Sequence, residues 1–290
     1  MKEQKTTFES ITPKIAQRYF DTSQEEGAYS RPISSVYVHK YAREMKEGRW
    51  REDTGEELKF DWNGHLINGC HRMLAVVEAG VTLRFKVTRG YDPDIFPALD
   101  CGRHRSKGQL LGVKKVPNYN RVAAIVGAFH RLAVSGILAE NNSHTNDRKN
   151  GLTNTEFYEL YETDEEGFQR ASEISGALYK KCRVLSPAWT GAIYYYLTHT
   201  GGFAHSEVMP FFDALFMIDT SSIVVVNMLR QQILKVSLTG QRMKASKLFA
   251  LIAKTWNYYA TGKTPKILRY TPGEEYPTFL TKEQILYPLK

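Results

Sequence analysis

The chain has 290 residues, 39 Lys and Arg against 31 Asp and Glu, a formal net charge of +8 and 42% hydrophobic residues. That is enough chain for two domains with a sizeable core, and the composition excludes wholesale disorder, collagen and coiled-coil arrays. No run approaches the roughly 18 apolar residues of a membrane span, the start Met1 to Lys5 lacks the apolar core of a signal peptide, and Cys70, Cys101 and Cys182 form neither a Cys-x-x-Cys pair nor a zinc-ligand spacing, so a soluble, cytoplasmic protein without a disulfide framework is expected.

Taken in chain order, Ile11-Thr12-Pro13 opens a helix through Phe20, with Thr12 as N-cap and Pro13 at the first helical position. After a polar loop from Asp21 to Arg31, Val36, Val38, Tyr41, Ala42 and Met45 predict a helix over Ser34 to Glu47, stopped by Gly48. Leu58 to Trp62 alternates apolar and polar residues, Asn63-Gly64 is a turn, and His65-Leu66-Ile67 is a short returning strand, together a β-hairpin. Beyond Gly69, the residues Met73, Leu74, Val76 and Val77 share one face of a helix that stops at Gly80, and Val81 to Val87 reads as a further strand. A short apolar run, Ile95 to Leu99, leads into the polar loop Asp100 to Lys107 and a helix through Leu111. From Tyr119 the pattern is helical: Val122 to Ala139, Thr155 to Tyr161, Ser172 to Cys182, Ala188 to Thr198, Ser206 to Phe216 and Lys244 to Tyr259, with Trp189, Phe211, Phe212 and Phe216 as core. The fold class is α+β, an α+β domain over residues 8–116 followed by an all-helical domain over residues 117–290.

The positive charge is segregated. From Cys101 to Ala139 the charged residues are Arg103, Arg105, Lys107, Lys114, Lys115, Arg121 and Arg131, and from Thr220 to Gly273 they are Arg230, Lys235, Arg242, Lys244, Lys247, Lys254, Lys263, Lys266 and Arg269, with no acid in either stretch. Such clustering favours a phosphate-rich partner, and Lys107, Lys114, Lys115, Arg121, Arg242, Lys244 and Lys247 are the candidate DNA-binding residues. The competing expectation is that these helices are neutralised in the fold by the acidic stretch Glu156 to Glu173. Tyr194-Tyr195-Tyr196 could stack bases, but successive helical positions point different ways, so core and interface is the stronger reading.

The segment Asn68-Gly69-Cys70-His71-Arg72 lies where a strand turns into a helix, and a helix N-terminus offers unpaired amides and a positive dipole end to an anion. Gly69 allows close backbone approach, Arg72 is suited to bidentate contact with phosphate, and Cys70 stands where the dipole favours thiolate. Asp100 with Arg103 and Arg105 forms a second set, an acid and two guanidinium groups suited to holding a metal and clamping an anion.

Gly69-Cys70-His71-Arg72, between the Phe60 to Ile67 hairpin and Ala75, resembles the signature of the ParB/sulfiredoxin superfamily. Gly69, Arg72 and Ala75 match a Gly-x-x-Arg-x-x-Ala element of ParB-type members, and sulfiredoxins carry Gly-Cys-His-Arg at this turn. The chain is most similar to the DGQHR (DndB-like) group of phage and mobile-element proteins. There Arg31-Pro32, Gly48-Arg49-Trp50 and the Asp100, Gly102, Arg105 loop also fit, while Cys70 stands for the group's Gln and Asn68 for its Asp. The resemblance covers residues 10–115, and a weaker C-terminal pattern is matched around Trp256-Asn257. It implies a ParB/sulfiredoxin-like N-terminal domain whose turn, Asn68, Gly69, Cys70, His71 and Arg72 with Arg103 and Arg105, binds a nucleoside triphosphate with or without Mg, with Cys70, His71 and Asp100 as candidate catalytic groups.

The function expected from this is a nucleotide-dependent, DNA-associated phage or mobile-element protein, a nucleotide hydrolase or phosphotransferase if it turns over. The alternatives are a non-catalytic DNA-binding regulator and thiol-dependent phosphoryl transfer of the sulfiredoxin type. The expected partners are a nucleotide and nucleic acid, with homo-oligomerisation left open and no membrane.

Overall fold

The computed structural model describes residues 4–25, 28, 33–52, 56–93, 95, 106–135, 151–217, 221–238, 240, 243–271 and 273–287. The chain divides into two compact units, one of Met1–His104 with Ser143–Thr155 and one of Arg105–Asn142 with Glu156–Lys290. The pattern of elements is α+β. Among the described residues no helix is long and apolar enough to cross a membrane.

Among the described residues the first unit comprises a four-stranded sheet with three α-helices. Its strands are β1 (Lys5–Ile11), β2 (Leu58–Asp61), β3 (Leu66–Asn68) and β4 (Leu83–Tyr91), in the order β1-β4-β2-β3. β4 runs antiparallel to β1, pairing Lys5 with Arg89 through Ile11 with Leu83, and parallel to β2, pairing Leu58 with Val87. The hairpin expected around Asn63-Gly64 is present as β2 and β3. Its turn is held by Asp61, whose Oδ1 accepts the Asn63 and His65 amides at 2.9 and 2.8 Å, while Gly64 takes a φ of 96° that favours glycine. Helices α1 (Pro13–Thr22), α2 (Ser35–Lys46) and α3 (Cys70–Ala79) share one core with Leu58, Phe60, Phe85 and Val87, residues that alternate along β2 and β4 onto one face. Thr12 caps α1 as its sequence requires, its Oγ1 accepting the Ile15 amide at 3.3 Å.

Two buried-edge carboxylates tie these strands together. Glu9 on β1 accepts from Arg89 (2.5 and 3.2 Å), Tyr19 (2.6 Å) and Thr7 (2.7 Å), and Glu57, ahead of β2, accepts from Thr88 and Tyr91 of β4, both at 2.7 Å. Burial alone would raise both carboxyls above their ordinary 4.5. The hydrogen bonds, with the charge of Arg89 or Lys86, outweigh burial and hold each at about 2. Because the folded-state values are depressed, the stabilisation is fully present above about pH 4.5 and is lost as pH falls towards 2. The urea midpoint of the first unit is therefore expected to drop steeply between pH 5 and pH 3, and Glu9→Gln, which keeps the acceptor but not the charge, to flatten that drop. A pH-independent midpoint over this range would show that neither carboxylate anchors the sheet.

The second unit is helical: α4 (Lys107–Val113), α5 (Tyr119–Ser135), α6 (Asn154–Glu162), α7 (Glu165–Lys181), α8 (Pro187–Tyr195) continuing into a π-helical turn (Tyr196–Thr200), α9 (His205–Phe216), α10 (Val224–Leu238), α11 (Ala245–Ala260) and α12 (Lys282–Leu286). α5, α7 and α8 pack closely at Gly191, where a Cβ would lie 2.5 Å from Ile125 Cδ1. Phe129, Phe168 and Tyr195 fill the space between them. Trp256 of α11 is fully buried among Phe203, Phe211 and Tyr259. The neighbouring Asn257 donates to the Thr278 carbonyl and accepts the Leu280 amide, both at 2.9 Å, so the Trp256-Asn257 pair holds the C-terminal segment. Phe211, Phe212 and Phe216 are buried as expected; Trp189 is half-buried, edge-on to Phe249 and under the Arg131 guanidinium.

Candidate functional site

Gly69 is the N-cap of α3 and takes a φ of 121°, a region closed to other residues without strain. Its missing side chain matters twice, because a Cβ there would sit 2.4 Å from Leu58 Cδ2, in the core. The glycine thus lets β3 turn directly into α3 while β2 packs against the turn. The first turn of α3 carries no acid and its N-cap makes no side-chain hydrogen bond, so the dipole end there is not met by a negative side chain of its own turn.

The three side chains that follow are committed inward. Arg72 is 8% exposed, and its Nη2 donates to the Glu57 carbonyl at 2.9 Å and to Asn68 Oδ1 at 3.0 Å. Its other terminal nitrogen, Nη1, is buried with no hydrogen-bond partner among the described residues. Burial draws the guanidinium below its ordinary value, against the raising charge of Glu56 and the neighbouring Tyr41. The expected free phosphate-binding arm is therefore corrected: Nη2 is a structural clasp between α3 and the start of β2, and Nη1 has no hydrogen-bond partner among the described residues. The guanidinium's hydrogen-bond partners are neutral, its charge is met only at a distance by Glu56 and Glu57, and an orphaned N–H adds to the cost of burying it.

His71 Nε2 accepts the Ser34 amide at 2.9 Å, at the start of α2, and its ring meets Tyr37 edge-on at 6.2 Å. Accepting at Nε2 places the ring proton on Nδ1 and makes this imidazole a link between α2 and α3. Cys70 is 7% exposed, its Sγ 3.9 Å from the Leu66 carbonyl. Burial pushes the thiol up, outweighing the lowering influence of Ser23 and Arg72, so the thiolate expected from the helix dipole is corrected to a buried thiol. A nucleophile needs access and a depressed pKa, and this sulfur has neither.

Asp100, Arg103 and Arg105, like Arg31-Pro32 and the DNA-binding candidate Arg242, lie outside the described residues. Among the described residues no group of three His, Cys, Asp or Glu side chains could hold a metal ion. The orphaned Nη1 beside an acid-free helix end fits an anion such as a phosphate; the described residues supply no set for Mg.

Several residues of the basic windows have partners in the fold. Lys114 pairs with Glu162 at 2.5 Å, Lys107 lies over the Phe157 ring, and Lys254 pairs with Glu274 at 2.6 Å. Arg121 Nε donates to the buried Ser172 Oγ at 2.9 Å, its guanidinium occupying the slot left by Gly176. Lys114 and Lys115 line an open groove of about 490 Å³ with Glu165, Glu166 and Glu173. Of the first basic window, Lys114 thus meets an acid of the Glu156 to Glu173 stretch, Lys107 an aromatic ring and Arg121 a serine hydroxyl. Lys244 and Lys247, at the start of α11, are exposed.

No family model, curated protein or solved structure matches the chain. The site therefore stands on its own geometry.

A second constellation went unread in the sequence. In the helical unit, Asp164, Arg170, Tyr194, Tyr195, His199 and His205 line a polar pocket of about 330 Å³ beside the π-helical turn. His199 and His205 carry no motif; only the signal of Asp164 as a helix N-cap was legible, its Oδ1 accepting the Gly167 amide at 2.9 Å.

Proposed function

We propose that the Asn68 to Arg72 turn binds the phosphate of a nucleotide, in a ParB/sulfiredoxin-like, nucleotide-dependent and DNA-associated protein. The observation that carries this reading is Arg72 Nη1, a buried cationic donor with no partner among the described residues, at the amide end of a glycine-led helix. A phosphate oxygen there compensates both the donor and the charge, and adds the helix N-terminus as a second attraction. The Gly-Cys-His-Arg signature adds the expectation of a nucleotide over other anions. Lys244 and Lys247 remain as exposed positions for nucleic-acid backbone. The thiol-dependent alternative draws no support from a buried Cys70.

Calorimetry with ATP, CTP and GTP tests the reading. The parent is expected to bind at least one of them, and Arg72→Lys, which keeps the charge but loses the fork, to bind it about tenfold more weakly, the scale of one charge-assisted hydrogen bond. Absence of binding to all three by the parent, or equal affinity in a folded Arg72→Lys variant, would sink it.

A further inference from the structure

In the helical unit three rings form a ladder. Phe168 of α7 stacks on Tyr195 with centroids 4.0 Å apart and planes 18° from parallel, and Tyr195 stacks in turn on His199 at 4.9 Å and 13°. Phe168 and Tyr195 are buried, whereas the His199 side chain is 51% exposed. One imidazole face is covered by Tyr195, so its exposure is that of the outer face and the Nε2 edge.

A π-helical turn, Tyr196–Thr200, runs through this step. Its extra residue per turn is closed by the Gly201 amide donating to the Tyr196 carbonyl at 2.7 Å, and Gly201 is required there because a Cβ would meet the Leu197 carbonyl oxygen at 2.6 Å. Such turns rearrange a helix locally and recur at functional sites. Tyr195 and His199, four apart across this turn, overlap face to face. Asp164 lies at the edge of the ring, its Oδ2 3.5 Å from His199 Nδ1.

The remaining groups of the pocket suit the other parts of one ligand. Arg170 is exposed and supplies a cation at the rim, and Glu166, also exposed, supplies an acceptor. On the far side His205 Nδ1 is bonded to the Tyr194 hydroxyl at 2.8 Å, which leaves its Nε2 for a ligand. A planar, hydrogen-bonding ring with an attached anion matches this arrangement, since bases stack on His and Tyr faces with little regard to sequence while arginine takes the phosphate.

We propose that the outer face of His199 is a stacking platform for one unpaired nucleobase, with Arg170 on its phosphate. The ligand chemistry is a nucleoside phosphate, free or within a single strand. This site lies in the helical unit and does not rest on the reading of the α3 turn.

The test uses the full chain with two probes, AMP and a short oligothymidylate, followed by the ring resonances of His199 and by anisotropy. Saturable movement of the His199 signals is expected with at least one probe. AMP acting as well as the oligonucleotide identifies a free nucleotide; the oligonucleotide alone identifies a single strand. His199→Ala should weaken binding roughly tenfold or more, the scale of losing one base stack, while His199→Phe, which keeps a ring, should restore it. Arg170→Gln should reduce the salt slope for the oligonucleotide by about 0.7, one phosphate contact. The His199 resonances report this site alone, so nucleotide binding that leaves them unmoved overturns the platform without touching the phosphate turn. The proposal is overturned if neither probe moves His199, if His199→Ala binds like the parent, or if His199→Phe is as weak as His199→Ala.

Discussion

Gly69→Ala is expected to cost the first unit about 2–6 kcal/mol, combining roughly 1–3 kcal/mol for a side chain forced into a left-handed backbone region with roughly 1–3 kcal/mol for overpacking. Against the ~5–15 kcal/mol that holds a typical domain, that removes much of its stability. The two contributions arise from the φ of 121° and from the 2.4 Å approach of the new Cβ to Leu58 Cδ2, whose side chain is fully buried. Gly80, which ends the same helix at a φ of 70°, provides the internal control, because a Cβ there meets nothing within 4 Å. Gly80→Ala should cost only the backbone strain, about 1 kcal/mol. Urea unfolding followed by far-UV circular dichroism compares the two, and equal costs would show that close packing of β2 against the α3 turn contributes nothing.

Arg72→Ala should destabilise the same unit by about 3 kcal/mol, since it removes two hydrogen bonds from a charged donor and leaves the Glu57 carbonyl and Asn68 Oδ1 without it. Arg72→Met keeps the packed stem and should cost less, about half as much, since the apolar part of a long side chain stabilises independently of its charge. The buried Nη1 adds a second expectation. If an anion completes that donor, replacing chloride by phosphate at matched ionic strength should raise the parent's unfolding temperature, and should leave Arg72→Met where it was, because a ligand stabilises only the state that binds it. An unresponsive parent would remove the phosphate from the proposed function while leaving the clasp intact.

What the sequence determined by itself are the features fixed by neighbours a few residues apart. The Thr12-Pro13 start of α1, the Asn63-Gly64 hairpin, the Gly69 entry to α3 and its end at Gly80 all depend on capping and on backbone regions that glycine alone enters freely, and each is present. The helical character beyond Tyr119 was equally legible from apolar periodicity, although α10 was not, because Val224, Leu234 and Leu238 are exposed and blur its buried face. Strand β1 was missed for a related reason. It is an edge strand whose residues before Ile11 are exposed or half-buried, and only its pairing with β4 makes it a strand.

The tertiary structure alone decided the direction of each side chain at the turn. Whether Arg72 faces a ligand or a neighbour depends on the Glu57 carbonyl, brought there by β2, and whether His71 is free depends on the Ser34 amide at the start of α2. Cys70 is set at a helix end in sequence but under a core in space, and burial, not the dipole, governs its thiol. The basic windows show the same physics, since Lys114 is neutralised by Glu162, a residue 48 positions away. The ring ladder at His199 joins Phe168 of α7 to the π-helical turn. A charge or a ring acquires its role from what is desolvated beside it, and those neighbours are assembled by contacts distant in the chain, where local periodicity carries no information.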